Sequence, residues 1–394
     1  MMKKKNPIYL DYAAATPVDP RVFEVMKPYF TDFFTNPSSL YASSAKLSET
    51  YIQCKKQVAD FFHTTPDTIT YVSGGSESIT SAIMGIARAH VLQGRHIITT
   101  TIEHSAVLEP LHALERYGFE ITYVPVDEHG FVSVKDVLKA IRKDTILISI
   151  MHANNEIGSI QPIEEIGREI LKYRTKEKTI FPLFHVDACQ SILYLERSVE
   201  KLHVDALSCN GGKIYGPKSS GILYVRRGIQ FDPTILGGGQ QGGRRSGTID
   251  MAMVVGITEA IKLIPKNSAH EKIKLLRDRL WNGIKENISD VVLNGPDVSD
   301  EKRLPNNLNV SFIGAPGEAL VLYLDAQGIC VSTGSACAED SRSGSHVLEA
   351  CGYEVSRKNS AIRFTLGKDT TEKEIEHVLE VLSDIVEKVR NMNA

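Results

Sequence analysis

The sequence has little of what announces a specialised protein. Its six cysteines, Cys54, Cys189, Cys209, Cys330, Cys337 and Cys351, include no CxxC pair. They are too sparse for a disulfide scaffold and lack zinc-site spacing, so a reducing compartment is expected, with no metal. A formal charge of -3 over 394 residues leaves no basic excess to advertise nucleic acid or an anionic membrane. No apolar run approaches spanning length, and the start Met-Met-Lys-Lys-Lys-Asn-Pro passes into Ile8-Tyr9-Leu10-Asp11-Tyr12 without a signal-peptide apolar region. No internal repeat or low-complexity tract is present, and no GxGxxG follows a first strand in the manner of a nicotinamide-binding unit. These absences leave an ordinary cytoplasmic protein that acts on small molecules or proteins.

What is present is alternation. Apolar runs at 69–72, 97–101, 121–124, 146–151, 183–186, 206–208 and 222–225 read as buried strands, and helical patterns such as Val107, Leu108, Leu111, Leu114 lie between several of them. That order predicts an α/β fold with a mostly parallel sheet covered on both faces. The charged run 172–178 reads as a solvated loop. A helix over 251–264 follows the Gly-rich segment 236–243 and leads into a region of different grain. This second region ends in a helix with a capping pair, Thr371 and Glu374, and an apolar stripe through Ile375, Val378, Leu379, Leu382 and Val386.

Ligands of open parallel sheets sit beyond the carboxyl ends of the strands, so the residues after each run carry the chemistry. Ser73-Gly74-Gly75-Ser76-Glu77 offers glycines, a helix N-terminus and the Ser76 hydroxyl, a phosphate cradle or an ordinary helix start. Beyond the later runs stand Glu103-His104, Asn154-Asn155-Glu156, Asp187-Ala188-Cys189-Gln190 and, after Asn210-Gly211-Gly212, Lys213. Singly, His104 reads as a structural histidine and Asp187 as a helix cap. Together they match the needs of pyridoxal phosphate: a lysine for the Schiff base, a carboxylate for the pyridine nitrogen, an aromatic stack and a phosphate site. Lys218, behind Gly-Pro and ahead of another strand, reads as a structural or surface lysine.

The chain also resembles the cysteine desulfurases of the NifS and IscS type, within the class-V aminotransferase group of fold type I pyridoxal phosphate enzymes. The resemblance runs nearly end to end, from Tyr9-Leu10-Asp11-Tyr12-Ala13-Ala14-Ala15-Thr16-Pro17 to the last helix. Its most specific pieces are Glu103-His104-Ser105-Ala106-Val107, Met151-His152-Ala153-Asn154-Asn155-Glu156-Ile157-Gly158, His185-Val186-Asp187-Ala188-Cys189-Gln190-Ser191, Arg245-Ser246-Gly247-Thr248 and Ser335-Ala336-Cys337. It implies a large cofactor domain over 16–254, with a seven-stranded sheet, and a small α+β domain from 1–15 and 255–394. It further implies that Lys213 holds the cofactor, His104 stacks on its ring, Asp187 pairs with its nitrogen and Gln190 bonds its phenolic oxygen. Gly75, Ser76 and Asn210 would lie at the phosphate, with Thr248 donated by the neighbouring subunit of a homodimer. Asn155 and Arg363 would grip the carboxylate of L-cysteine, and Cys337 would accept its sulfur. An acceptor such as an iron-sulfur scaffold protein would then receive the sulfur.

The match fails at one place. The family's Ser-x-His-Lys carries two phosphate contacts, and this chain has Asn210 and Gly212 there. Asn210 can still donate through its amide, whereas Gly212 offers only backbone. Two other readings stay open: another class-V enzyme, a selenocysteine lyase or aminotransferase, and a sulfur-transfer scaffold that no longer binds cofactor. The small, polar surroundings of Cys337, from Thr333 to Gly344, favour a loop cysteine that acts as a nucleophile, and Cys330, in an apolar run, reads as buried.

Overall fold

The computed structural model describes residues 7–265, 270–334 and 344–392. β1 (Ile8–Tyr9) opens the chain. Then β2 (Ile69–Val72), β3 (His96–Thr100), β4 (Glu120–Val124), β5 (Thr145–Met151), β6 (Leu183–Asp187), β7 (Ala206–Asn210) and β8 (Gly221–Val225) form one sheet. Its order is β2-β8-β7-β6-β5-β3-β4. The pairs among β4, β3, β5, β6 and β7 are parallel, and β8 runs antiparallel to both of its neighbours. All seven residues of β5, Thr-Ile-Leu-Ile-Ser-Ile-Met, are buried, as a strand covered on both faces requires. The expected mostly parallel seven-stranded α/β sheet is therefore the observed one.

Helices cover both faces. Ile79, Ile83 and Ile86 of the helix Gly75–Ala89 pack with Leu111 and Leu147 on one side. Ile163, Ile166 and Ile170 of the helix Ile163–Glu177 and Val254, Ile257 and Ile261 of the helix Met251–Lys262 pack on the other.

The run expected as a solvated loop over 172–178 is instead the end of a helix. The helix continues to Glu177 and stops at Lys178, which takes a left-handed cap conformation at φ 55°. Arg174 explains the extension. It is buried, its Nε donates to the Pro182 carbonyl at 2.8 Å, and its guanidinium pairs with the buried Asp205. One face of the charged run thus packs inward against a partner remote in sequence.

Beyond the large sheet, β9 (Val291–Leu293), β10 (Asn307–Phe312) and β12 (Ala361–Thr365) make an antiparallel sheet of order β12-β10-β9. β11 (Ile329–Cys330) pairs in parallel with β1. Leu308, Val310, Ile362 and Phe364 of this second sheet share a core with Leu10 and with Ile375, Val378 and Leu382 of the helix Glu372–Met392. The Thr371 and Glu374 capping box is formed reciprocally: the Thr371 N–H donates to the Glu374 carboxylate at 2.7 Å, and the Glu374 N–H to the Thr371 hydroxyl at 3.3 Å. Cys330 is half-buried rather than buried, because β11 is a two-residue strand at the rim.

The two parts meet along the N-terminal segment. Tyr12 donates through its N–H to the Thr365 carbonyl at 3.3 Å and Ala13 to the Thr365 hydroxyl at 2.9 Å, while the Thr16 N–H donates to the Gly212 carbonyl at 2.9 Å. This short stretch lies over the carboxyl ends of the large sheet.

Candidate active site

The carboxyl ends of β3, β5, β6 and β7 deliver one group of side chains. His104 caps the helix Ser105–Arg116: its Nδ1 accepts the Ala106 N–H at 3.0 Å. An accepting Nδ1 is unprotonated, so the neutral ring carries its proton on Nε2. Burial lowers the pKa of this histidine; the charge of Asp187 opposes that shift and the charge of Lys213 adds to it. The result is a neutral, flat, half-buried ring beside both charges.

Asp187 ends β6 and is buried, with Oδ1 accepting the Cys189 N–H at 2.9 Å. Cys189 itself is pushed well up by burial and by the nearby Asp187 charge, so its thiol stays protonated. It lines the floor under Gly75. A Cβ at Gly75 would sit 2.9 Å from the Cys189 sulfur and 3.2 Å from the Asn210 amide nitrogen, so only glycine fits at the first turn of the helix. Asn210 accepts the Gly212 N–H on Oδ1 at 2.9 Å, and its amide nitrogen faces the Gly75 turn. Ser76 follows, exposed, in the same turn. Free N–H groups, the helix dipole and an amide donor therefore converge on one spot.

Lys213 closes the short 3-10 turn Gly211–Lys213. Its Nζ donates to the carbonyls of Ala13 at 2.7 Å and Ala14 at 2.6 Å, and Gln190 donates to the same Ala13 carbonyl at 3.0 Å. Lys218 is exposed and lies on the other side of Gly212. Arg363, from β12, completes the group on the opposite wall. It is nearly inaccessible, and it donates to the Asn155 carbonyl at 3.2 Å and to Asp11 at 2.7 Å. Its Nε is buried without a partner.

Thr248 stands apart, exposed on the loop after Gly247. Cys337 lies outside the described residues. On either side of that stretch, Gly334 and Ser345 both meet Glu156. The Ser345 hydroxyl donates to the Glu156 carboxylate, and a Cβ at Gly334 would sit 2.9 Å from the same oxygen.

Several groups at the site carry no sequence signal of their own. Glu103, fully buried, accepts from Thr100 at 2.7 Å and from the Met151 N–H at 3.0 Å, and its other oxygen has no partner. Burial pushes its carboxyl up to about 8. The His346 ring touches its carbonyl at 2.9 Å. Asp11 and the carbonyls of Ala13 and Ala14 belong to this group as well. Among the described residues no group of three or more His, Cys, Asp or Glu could hold a metal, and no helix is long and apolar enough to cross a membrane.

A lysine, a neutral imidazole, an aspartate and a helix N-terminus thus surround one crevice. The model of the class-V aminotransferases matches residues 8–378. A cysteine desulfurase IscS of Dictyoglomus turgidum is 44% identical over 391 residues, covering 99% of this chain and 97% of the relative. The chain belongs to the class-V aminotransferases, among the cysteine desulfurases. A solved NifS-like protein superposes with a TM-score of 0.89 at 35% identity, covering 97% of this chain and 100% of that one. SspA, solved in complex with cysteine, superposes with a TM-score of 0.79 at 33% identity, covering 92% of this chain and 100% of that one. As in this family, the large sheet is the fold type I arrangement.

Proposed function

We propose that the chain removes sulfur from L-cysteine, giving L-alanine and a persulfide on Cys337, with pyridoxal phosphate held on Lys213. The observation that carries this reading is the convergence of Lys213, His104, Asp187, Gln190 and the Gly75–Asn210 cradle at the carboxyl ends of one parallel sheet. Pyridoxal phosphate fits these residues: the cradle is kept open by a glycine with no room for a Cβ, and the donors there suit a phosphate. When bound, the cofactor supplies an electron sink that makes the substrate's α-carbon acidic.

The protein's own residues do the rest. Asp187 would hold a positive charge at the ring nitrogen, and Gln190 would bond the phenolic oxygen. His104 would offer its neutral face to the ring. Asn210 and Ser76 would bind the phosphate, and Thr248 of the partner subunit would add a further hydroxyl. Arg363 and Asn155 orient the substrate carboxylate. Lys213 moves the α-proton at Nζ. The Cys337 thiolate then attacks the substrate sulfur: a new S–S bond forms, the carbon–sulfur bond breaks, and its electron pair remains with the carbon, which takes a proton to become alanine.

A homodimer accords with the exposed apolar side chains Phe30, Phe34, Leu40 and Leu236, at 56%, 74%, 103% and 80% exposure. A cytoplasmic enzyme that passes sulfur to an acceptor such as an iron-sulfur scaffold protein completes the reading. The test is product analysis with L-cysteine and a thiol reductant. The reading predicts L-alanine and sulfide in equal amounts, with Cys337→Ser retaining the coloured cofactor but releasing almost no sulfide. Pyruvate and ammonia in place of alanine would contradict it, as would wild-type turnover in Cys337→Ser together with loss in Cys189→Ser or Cys330→Ser.

A further inference from the structure

We infer that Asp11 is a positioning residue for recognition of the substrate carboxylate, acting through Arg363. This rests on the reading that Arg363 grips that carboxylate.

The Arg363 side chain is only 4% exposed and Asp11 17%, so their 2.7 Å contact is largely shielded from solvent. A shielded, charge-assisted hydrogen bond fixes geometry where an exposed ion pair would not. The backbone on both sides is tied. The Thr365 N–H donates to the Leu10 carbonyl at 2.8 Å, and the Arg363 N–H and carbonyl bond Ser332 on the other flank. Tyr9 braces the turn from behind, its hydroxyl set 2.9 Å from the carbonyls of both Asp11 and Ala15. Asp11 is thus held rigidly beside a guanidinium whose other fixed acceptor is the Asn155 carbonyl at 3.2 Å.

These two acceptors leave part of the guanidinium unused. Its Nε is buried with no partner, a costly arrangement for a charged group unless a ligand satisfies it. With Nη1 donating to the Asn155 carbonyl and Nη2 to Asp11, the Nε–H is the donor left over for a carboxylate ligand. The same segment lends the Ala13 carbonyl to both Lys213 and Gln190. Residues 11–13 therefore set the carboxylate grip and the lysine in one frame.

The experiment measures KM and kcat for L-cysteine, and calorimetric affinity for L-alanine, in Asp11→Ala, Asp11→Asn, Arg363→Ala and the double variant Asp11→Ala/Arg363→Ala. Asp11→Ala is expected to raise KM about tenfold and to weaken L-alanine binding similarly, with kcat within about threefold of wild type. Asp11→Asn, which keeps an acceptor oxygen, is expected to lose about half of that effect in free-energy terms. The double variant should be no worse than Arg363→Ala alone. A raised KM in Arg363→Ala with an unchanged KM in both Asp11 variants overturns the positioning role. A lowered KM in Asp11→Asn also overturns it, because Asp11 would then compete with substrate. Should Asp11→Ala fail to fold, Asp11→Asn alone decides. An unchanged KM in Arg363→Ala would instead remove the underlying reading of Arg363.

Discussion

The side chain of Asn210 turns back on its own chain, where Oδ1 accepts the Gly212 N–H at 2.9 Å, and this leaves its amide nitrogen facing the Gly75 turn. One amide thus both builds the turn before Lys213 and sets a donor beside the cradle proposed for the phosphate, where the family's serine and histidine are lacking. The position of Gly212 remains open to a side chain at modest cost. A Cβ there would lie 3.3 Å from the Lys218 Cα and 3.4 Å from the Asn210 Oδ1, tight contacts relieved by a shift of a few tenths of an ångström. Gly212→His is expected to slow loss of cofactor on dialysis, since a hydrogen bond to a charged group contributes about 1.5–3 kcal/mol. Equal rates of loss in the two proteins would show that another group already fills that role.

Glu103 makes stability depend on pH. Its carboxyl is raised to about 8 by burial, the Asp187 charge adds to the rise, and bonds from Thr100 and Met151 offset only part of it. A raised carboxyl pKa means that the unfolded chain ionises first. The stabilising contribution is complete below the ordinary carboxylate range and is lost progressively up to about pH 8. Denaturant midpoints of the wild type should therefore fall between about pH 5 and pH 8 by more than those of Glu103→Gln. Parallel pH profiles for the two proteins would contradict the buried, protonated state of Glu103.

Thr248 is exposed in its own chain, which suits a residue donated across a dimer. Mixing Lys213→Ala chains with Thr248→Ala chains should restore part of the activity in heterodimers, one of whose sites is then intact. No recovery after verified subunit exchange would mean that each site is built from a single chain.

Much of this was legible in the sequence for a simple reason. Strands buried on both faces read as continuous runs of Ile, Val and Leu, so β5 and β8 were found within a residue of their ends, and the strand ends pointed to His104, Asp187 and Lys213. What escaped depends on contacts between distant residues. The helical end at 172–177 is fixed by Arg174 reaching Asp205, which a local charge count reads as a loop. Asp11 pairs with a residue 352 positions away, and Glu103 becomes a protonated acid only because the core closes over it and Asp187 adds its charge, against the bonds from Thr100 and Met151. The rim position of Cys330 follows from the shortness of β11, which no apolar pattern reveals.

The central claim is that the crevice is built around Lys213 as the cofactor lysine, and borohydride trapping tests it most directly. Reduction of the purified, coloured protein followed by peptide mapping should place the pyridoxyl group on Lys213, whose Nζ lies over the crevice against the Ala13 and Ala14 carbonyls. Finding the group on the exposed Lys218, or finding no pyridoxyl group in protein reconstituted with pyridoxal phosphate, would contradict the account.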